Sequence, residues 1–155
     1  MNINNSTDRI EREIVLKAAR SRVWRALSHA EEFGGWFGVA LKGKTFAAGQ
    51  AVQGQITYPG YEHLAWNVVI DRVEPEGLLS FRWHPYAVDA AVDYSQEPTT
   101  LVVFELIAVE EGTLLRVVES GFDNIPAARR QEAFSMNSGG WDAQMKNIEK
   151  HVAAS

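Results

Sequence analysis

The chain has no cysteine in its 155 residues, which excludes disulfides, thiolate metal sites and a thiol nucleophile together. It also has no long apolar run: nothing approaches the ~20 residues that a membrane span requires. The N-terminal MNINNSTDRIERE lacks a basic-then-apolar signal pattern. A cytoplasmic protein without membrane insertion is therefore expected. A clustered basic face is missing too. Fifteen Lys and Arg are interspersed with 20 Asp and Glu, giving a formal charge of −5, so a nucleic-acid partner is not expected. The four histidines, His29, His63, His84 and His151, show no HxH or HExxH spacing, and no metal site is expected. No phosphate loop, dinucleotide-binding glycine pattern or serine-nucleophile elbow occurs, so no cofactor is expected either.

What is present is apolar and aromatic. Hydrophobic residues make up 46% of the chain and five are Trp, enough for one domain over residues 1–155 with a real core. Residues 1–8 are polar and expected to fray. The last third dominates the pattern. From Pro126 to Val152 a 3.6-residue period places Phe134, Ser138, Trp141, Met145, Ile148 and Val152 on one stripe of a long helix. Such a stripe needs a broad apolar surface to lie on.

The rest of the chain supplies that surface. Arg9 to Lys17 alternates as a strand. Ser21 is expected to cap a short helix through Ser28, and Ser28 with Glu31 to form a capping box for a second, which Gly34-Gly35 ends or bends. Strands follow at 39–42, 51–58, 64–73 (apolar on both faces), 79–83, 101–110 and 113–122, joined by tight turns such as Pro59-Gly60, Pro75-Glu76-Gly77 and Glu111-Gly112. Consecutive hairpins imply an antiparallel sheet. The exception is 84–98, HPYAVDAAVDYSQEP, a long loop without a sustained period, and loops of that length are commonly functional or mobile. The expected fold is α+β: a curved antiparallel sheet of six or seven strands around the C-terminal helix, with two short helices after the first strand.

Several stretches resemble a known family. These are Ile14-Val15-Leu16-Lys17-Ala18-Ala19 running into Val23-Trp24-Arg25-Ala26-Leu27, the pair Trp36-Phe37, and Val73-Glu74-Pro75-Glu76-Gly77-Leu78 before Phe81-Arg82-Trp83. Gly112-Thr113, Glu119-Ser120-Gly121-Phe122 and Gly140-Trp141 continue the match. In this order they resemble the helix-grip superfamily of START and birch-pollen-allergen proteins (SRPBCC). Within it, the chain is similar to bacterial relatives of the C-terminal domain of the activator of the heat-shock protein 90 ATPase. The resemblance implies a helix-grip fold and three functional classes. One is a binder of an apolar or aromatic small molecule, the preferred expectation. The others are a co-chaperone-like module acting on a chaperone of the 90-kDa heat-shock class, and an enzyme using the same cavity. No counterpart of the activator's separate N-terminal domain occurs in this sequence, so stimulation of a chaperone is the less direct implication.

The expected ligand site lies between sheet and helix, with Trp36, Trp66, Phe81, Trp83, His84, Phe104, Glu119, Phe134, Trp141 and Met145 as its candidate residues. The same aromatics would equally serve as core. Glu119 alternates with Leu115 and Val117 and so points toward the helix, where it is either a polar anchor at one end of the cavity or a strand-end carboxylate turned to solvent. His84, with Tyr86, Asp89, Asp93 and Tyr94, forms either a polar lid or a loop whose tyrosines pack down. Gly139-Gly140 marks either a kink or a close approach of the sheet, since two glycines cost about 1 kcal/mol each in a helix interior. No residue is expected to be catalytic.

Overall fold

The computed structural model describes residues 7–89 and 91–153. Strand β1 (Arg9–Leu16) leads into helices α1 (Arg20–Ser28) and α2 (Ala30–Phe37). Strands β2 (Val39–Ala40), β3 (Ala51–Ile56), β4 (Ala65–Glu74), β5 (Leu78–Trp83), β6 (Thr100–Val109) and β7 (Gly112–Ser120) follow. A 3-10 turn at Phe122–Asn124 then precedes helix α3 (Ala127–Ala153). The seven strands form one antiparallel sheet in the order β1-β7-β6-β5-β4-β3-β2. Sequential strands from β2 to β7 are therefore neighbours, and β1 closes on β7. A shift of register between β4 and β5 at Ile70/Arg72 adds a bulge, which bends and twists the strand that carries it. The expected helix-grip architecture is present.

The core is the inner face of this sheet under the three helices. Opposed residues Phe104 and Val117, and Leu106 and Leu115, alternate inward from β6 and β7 and are buried. From α3 come Trp141, Met145, Ile148 and Val152, all buried as the stripe requires. Phe134 and Ser138 are half-buried and do other work. Phe134 packs edge-on against Phe122 at 5.1 Å, and Ser138 accepts a hydrogen bond from Arg12 on β1. The same guanidinium reaches Asp142 at 2.6 Å. Helix α3 packs mostly on β1 and the two short helices, so it sits toward one side of the sheet.

Several local expectations are corrected. The cap of α1 is Ala19, without a side-chain hydrogen bond, because the helix begins at Arg20, before Ser21. Ser28 ends α1 and donates to the Trp24 carbonyl, and His29 caps α2 by accepting from the Glu32 backbone N–H. Gly34-Gly35 does not end α2, which runs to Gly38 in the left-handed conformation. Gly34 serves packing instead: a Cβ there would stand 2.1 Å from the Val39 carbonyl oxygen, so only glycine lets α2 lie against β2. Strand β4 is apolar on one face, since Trp66, Val68 and Ile70 are buried while Val69 is exposed. Residues 1–6 lie outside the described residues. Asp8 is held rather than frayed: its side chain and carbonyl accept from the backbone of Gly121, and Asp123 N–H also donates to its carboxylate. No helix among the described residues is long and apolar enough to cross a membrane.

Candidate functional site

Because α3 rests toward the β1 side, the inner face of β3 to β5 is left partly uncovered. A cleft of about 770 Å³ opens there between the sheet, the end of α2, α3 and the long loop. Its apolar walls are aromatic: Phe37 from α2, Trp66 from β4, Trp83 from β5, Tyr86 from the loop and Trp141 from α3. Phe37 stands about 6 Å, centroid to centroid, from each of Trp66, Trp83 and Trp141. Tyr58 and Tyr61, an exposed pair with ring centroids 5.9 Å apart, stand at the mouth.

One buried group fixes two of these rings. Glu119 on β7 is fully buried and points inward, as alternation along the strand requires. One carboxylate oxygen accepts from the Trp141 indole N–H at 2.8 Å and from the Asn137 amide at 3.0 Å. The other accepts from the Trp83 indole at 2.7 Å and the Thr100 hydroxyl at 2.5 Å. These four donors are uncharged. They come from β5, β6 and two successive turns of α3, where Asn137 and Trp141 share a face four residues apart. Glu119 is thus not at the cavity surface as an anchor would be. It lies behind Trp83, Trp141 and Asn137, which line the cleft while Glu119 does not.

The loop after β5 forms the outer wall, and its two ends are fastened together. The His84 ring meets the Glu97 carbonyl at 2.9 Å. Arg129, in the first turn of α3, donates to the carbonyls of Pro85 at 2.9 Å and Tyr86 at 3.3 Å, and to the Glu97 carboxylate at 2.8 Å. Its guanidinium also lies 4.7 Å over the Tyr94 ring. Both tyrosines are half-buried and line the cleft, so packing and lining are done by the same side chains. Asp89 and Asp93 line its outer part. Hydrogen bonds from the Ser95 backbone and side chain, aided by the nearby His84, hold the Asp93 carboxyl below the usual carboxylate range.

Of the residues singled out from sequence, Trp66, Trp83, His84 and Trp141 meet around the cleft. Trp36, Phe81, Phe104 and Met145 are buried behind it. Trp36 donates its N–H to the Ala26 carbonyl at 2.8 Å in the core. Phe134 lies apart, against Phe122. Gly139 and Gly140 interrupt nothing: α3 is continuous, and a Cβ on either would meet no atom within 4 Å. A close approach of the sheet is thus excluded as their reason, and Gly140 leaves open space on the cleft side of α3. Sequence reasoning missed Asn137, Gln144 and Arg129. The first had a readable signal, its i, i+4 spacing from Trp141. Among the described residues, no group of three or more His, Asp or Glu could hold a metal ion.

Comparison with solved structures gives the same architecture. A Mesorhizobium loti protein is 23% identical and aligns over 95% of this chain and 98% of its own, with a TM-score of 0.72. An Arthrobacter aurescens protein aligns over 100% of this chain and 92% of its own with a TM-score of 0.76 at 12% identity. A protein of the dynemicin biosynthetic locus, 20% identical with a TM-score of 0.72, aligns over 94% of this chain, which spans about half of that protein (47%). At these identities the likeness is one of fold. Among curated proteins none matches the sequence. The model of the family described as activator of Hsp90 ATPase homolog 1-like protein matches residues 17–153, and the chain belongs to that family.

Proposed function

We propose that this protein binds a small apolar or aromatic molecule in the cleft between β3–β5 and α3. The observation that carries the reading is the cleft itself. At about 770 Å³ it falls within the roughly 300–1,000 Å³ of small-molecule sites, and its aromatic walls with a few polar groups fit the same class. Glu119 is a positioning residue here: by holding the N–H edges of Trp83 and Trp141 it fixes the attitude of two wall rings. Their centroids are 6.0 Å apart, with planes 33° from parallel. His84 and Arg129 set the loop that forms the outer wall. A co-chaperone role rests on the family description, and no particular surface feature adds to it.

Native mass spectrometry of protein purified from its own host, combined with a thermal-shift screen of aromatic and lipid compounds, tests the reading. A retained small molecule, or a concentration-dependent rise in Tm, is expected, since a ligand bound to the folded state alone stabilises it by mass action. Protein that leaves its host with nothing bound, and no shift across the screen, would sink the proposal.

A further inference from the structure

Two side-chain amides of α3 line the cleft, Asn137 and Gln144. Gln144 is engaged at both ends: Nε2 donates to the Phe37 carbonyl at 2.9 Å, and Oε1 accepts from the Asn147 amide at 3.0 Å. Asn137 is engaged at one. Its Nδ2 donates to both oxygens of Glu119, at 3.0 and 3.2 Å, and no described residue donates to its Oδ1. The network decides which end is which. An ionised carboxylate only accepts, so Glu119 draws the NH2 group and turns the amide oxygen away from itself.

That oxygen is open to a molecule in the cleft. Among the described residues, the fully buried side-chain polar atoms without a partner are Trp66 Nε1, Arg116 Nε and Arg129 Nη2. Asn137 Oδ1 also lacks a partner and is not one of them, so it keeps accessible surface. Glu119 lies behind the cleft while Asn137 lines it, so with Nδ2 turned to Glu119 the oxygen is the polar atom left on the cleft side. Gly140 follows three residues later on the same helix face and also lines the cleft. A Cβ there would meet no atom within 4 Å, so an approaching group has room beside the amide.

An amide oxygen accepts and never donates, which limits what can be placed against it. This one is strengthened, because the carboxylate that holds the NH2 group polarises the amide toward its oxygen. A carboxylate, ketone or ether oxygen at that spot would be repelled. A plain hydrocarbon would strip water from the oxygen without replacing the hydrogen bond, which is also unfavourable. A hydroxyl or an N–H fits. The condition applies to the atom that meets Asn137; His63, His84, Asp89 and Asp93 enter the lining from other segments and act on the rest of the ligand.

We infer that the ligand is an aromatic molecule carrying a hydroxyl or N–H group, and that Asn137 Oδ1 accepts its hydrogen. This rests on the cleft being a ligand site, as proposed above. Asn137 is then the specificity-determining residue of the cleft, and the rings of the ligand lie along Trp83 and Trp141.

Three probes substituted at the same ring position separate the possibilities. They are naphthol, methylnaphthalene, in which a methyl group replaces the hydroxyl, and methoxynaphthalene, which keeps the oxygen and loses its hydrogen. Dissociation constants are measured from the shifts of the Trp83 and Trp141 indole resonances on titration, which also places binding in the cleft. The titrations are run on the wild type and on Asn137→Leu, which has nearly the same shape and neither accepts nor donates. Naphthol is expected to bind the wild type about 5- to 10-fold more tightly than either of the others, as one hydrogen bond provides. In Asn137→Leu, methylnaphthalene should bind at least as tightly as naphthol. In the wild type, the Asn137 side-chain carbonyl carbon should move downfield with naphthol and not with methylnaphthalene, a readout that does not depend on the variant folding. An unchanged naphthol preference in Asn137→Leu, equal affinity for naphthol and methoxynaphthalene, or a carbonyl carbon that naphthol leaves in place would each overturn this inference while leaving the cleft a binding site. Failure of all three to bind would remove the binding reading and this inference with it.

Discussion

Replacing Glu119 by Gln keeps the side-chain shape and exchanges one carboxylate oxygen for an NH2 group. Each oxygen accepts from an indole, Oε1 from Trp141 and Oε2 from Trp83, so neither orientation of the amide avoids setting an NH2 against an indole N–H. The change should lower stability by about 1–3 kcal/mol, the cost of an unsatisfied buried donor. Urea unfolding measures it, and a midpoint equal to the wild type would show that the carboxylate does not hold the two rings. Thr100→Val removes one donor of the four and leaves a close isostere, so its loss should be smaller, about 1 kcal/mol. The inward direction of Glu119 was legible because a strand alternates with period two and Leu115 and Val117 fix the phase. Its partners were not legible. They come from three elements whose alignment depends on how α3 crosses the sheet; the spacing of Asn137 from Trp141 shows only that these two share a helix face, and no local pattern around Trp83 or Thr100 encodes the rest.

Among the elements, α3 was the most legible, because its apolar stripe recurs from Phe134 to Val152 and a one-residue error cannot preserve it. The short helices were less so. Ser21 and Ser28 have the right chemistry for caps, but a His Nδ1 accepts as well as a hydroxyl does, and His29 takes the role one position later. Gly139 and Gly140 illustrate the same limit: their composition suggests a close approach of the sheet, whereas a Cβ on either meets open space. That makes two separable predictions. Gly139→Ala should raise stability by roughly 0.5–1 kcal/mol through helix propensity, a gain of about 1–4 °C in Tm by calorimetry. Gly140→Leu should retain the fold but project into the cleft, weakening any cleft ligand by about 10-fold or more, on the scale of 1–3 kcal/mol for overpacking. Equal ligand affinity in Gly140→Leu and the wild type would place the ligand elsewhere. The clamp on the 84–98 loop was invisible in sequence, since two of Arg129's acceptors are backbone carbonyls, 43 and 44 residues away. Arg129→Ala should leave global stability within about 1 kcal/mol, as is usual for partly exposed ion pairs. It should nonetheless speed amide exchange in 84–98 selectively. Lysine should not restore protection, because one ammonium cannot replace a fork bonded on several sides.

For the whole molecule, the order of elements determined the sheet and helix but left open whether they enclose a space. The cleft arises because α3 leans on β1, α1 and α2 rather than on the middle of the sheet, and that lean is maintained by polar contacts at the helix ends. At the C-terminal end, His151 bonds Glu32 of α2 at 2.8 Å, and Arg22 and Arg25 of α1 bond the same carboxylate at 2.5 and 3.0 Å. Three helices therefore meet on one acid. Partial burial pushes the Glu32 carboxyl up, but the hydrogen bonds from His151 and Arg22, the Arg22 charge and the bond from Arg25 outweigh it and hold it at about 2, against 4.5 for a free glutamate. A group whose folded value is depressed stabilises the fold above its unfolded value and loses that contribution as pH falls toward the folded one. The contribution of Glu32 is thus complete above about pH 5 and declines from pH 4.5 toward pH 2. Other carboxylates titrate in the same window, so the decisive quantity is the difference between the wild type and Glu32→Gln. The gap between their unfolding free energies, measured by urea at several pH values, should be widest above pH 5 and close steadily as the solution is acidified. A gap independent of pH would mean that the acid contributes through packing alone, and that the junction of α1, α2 and α3 does not depend on its charge.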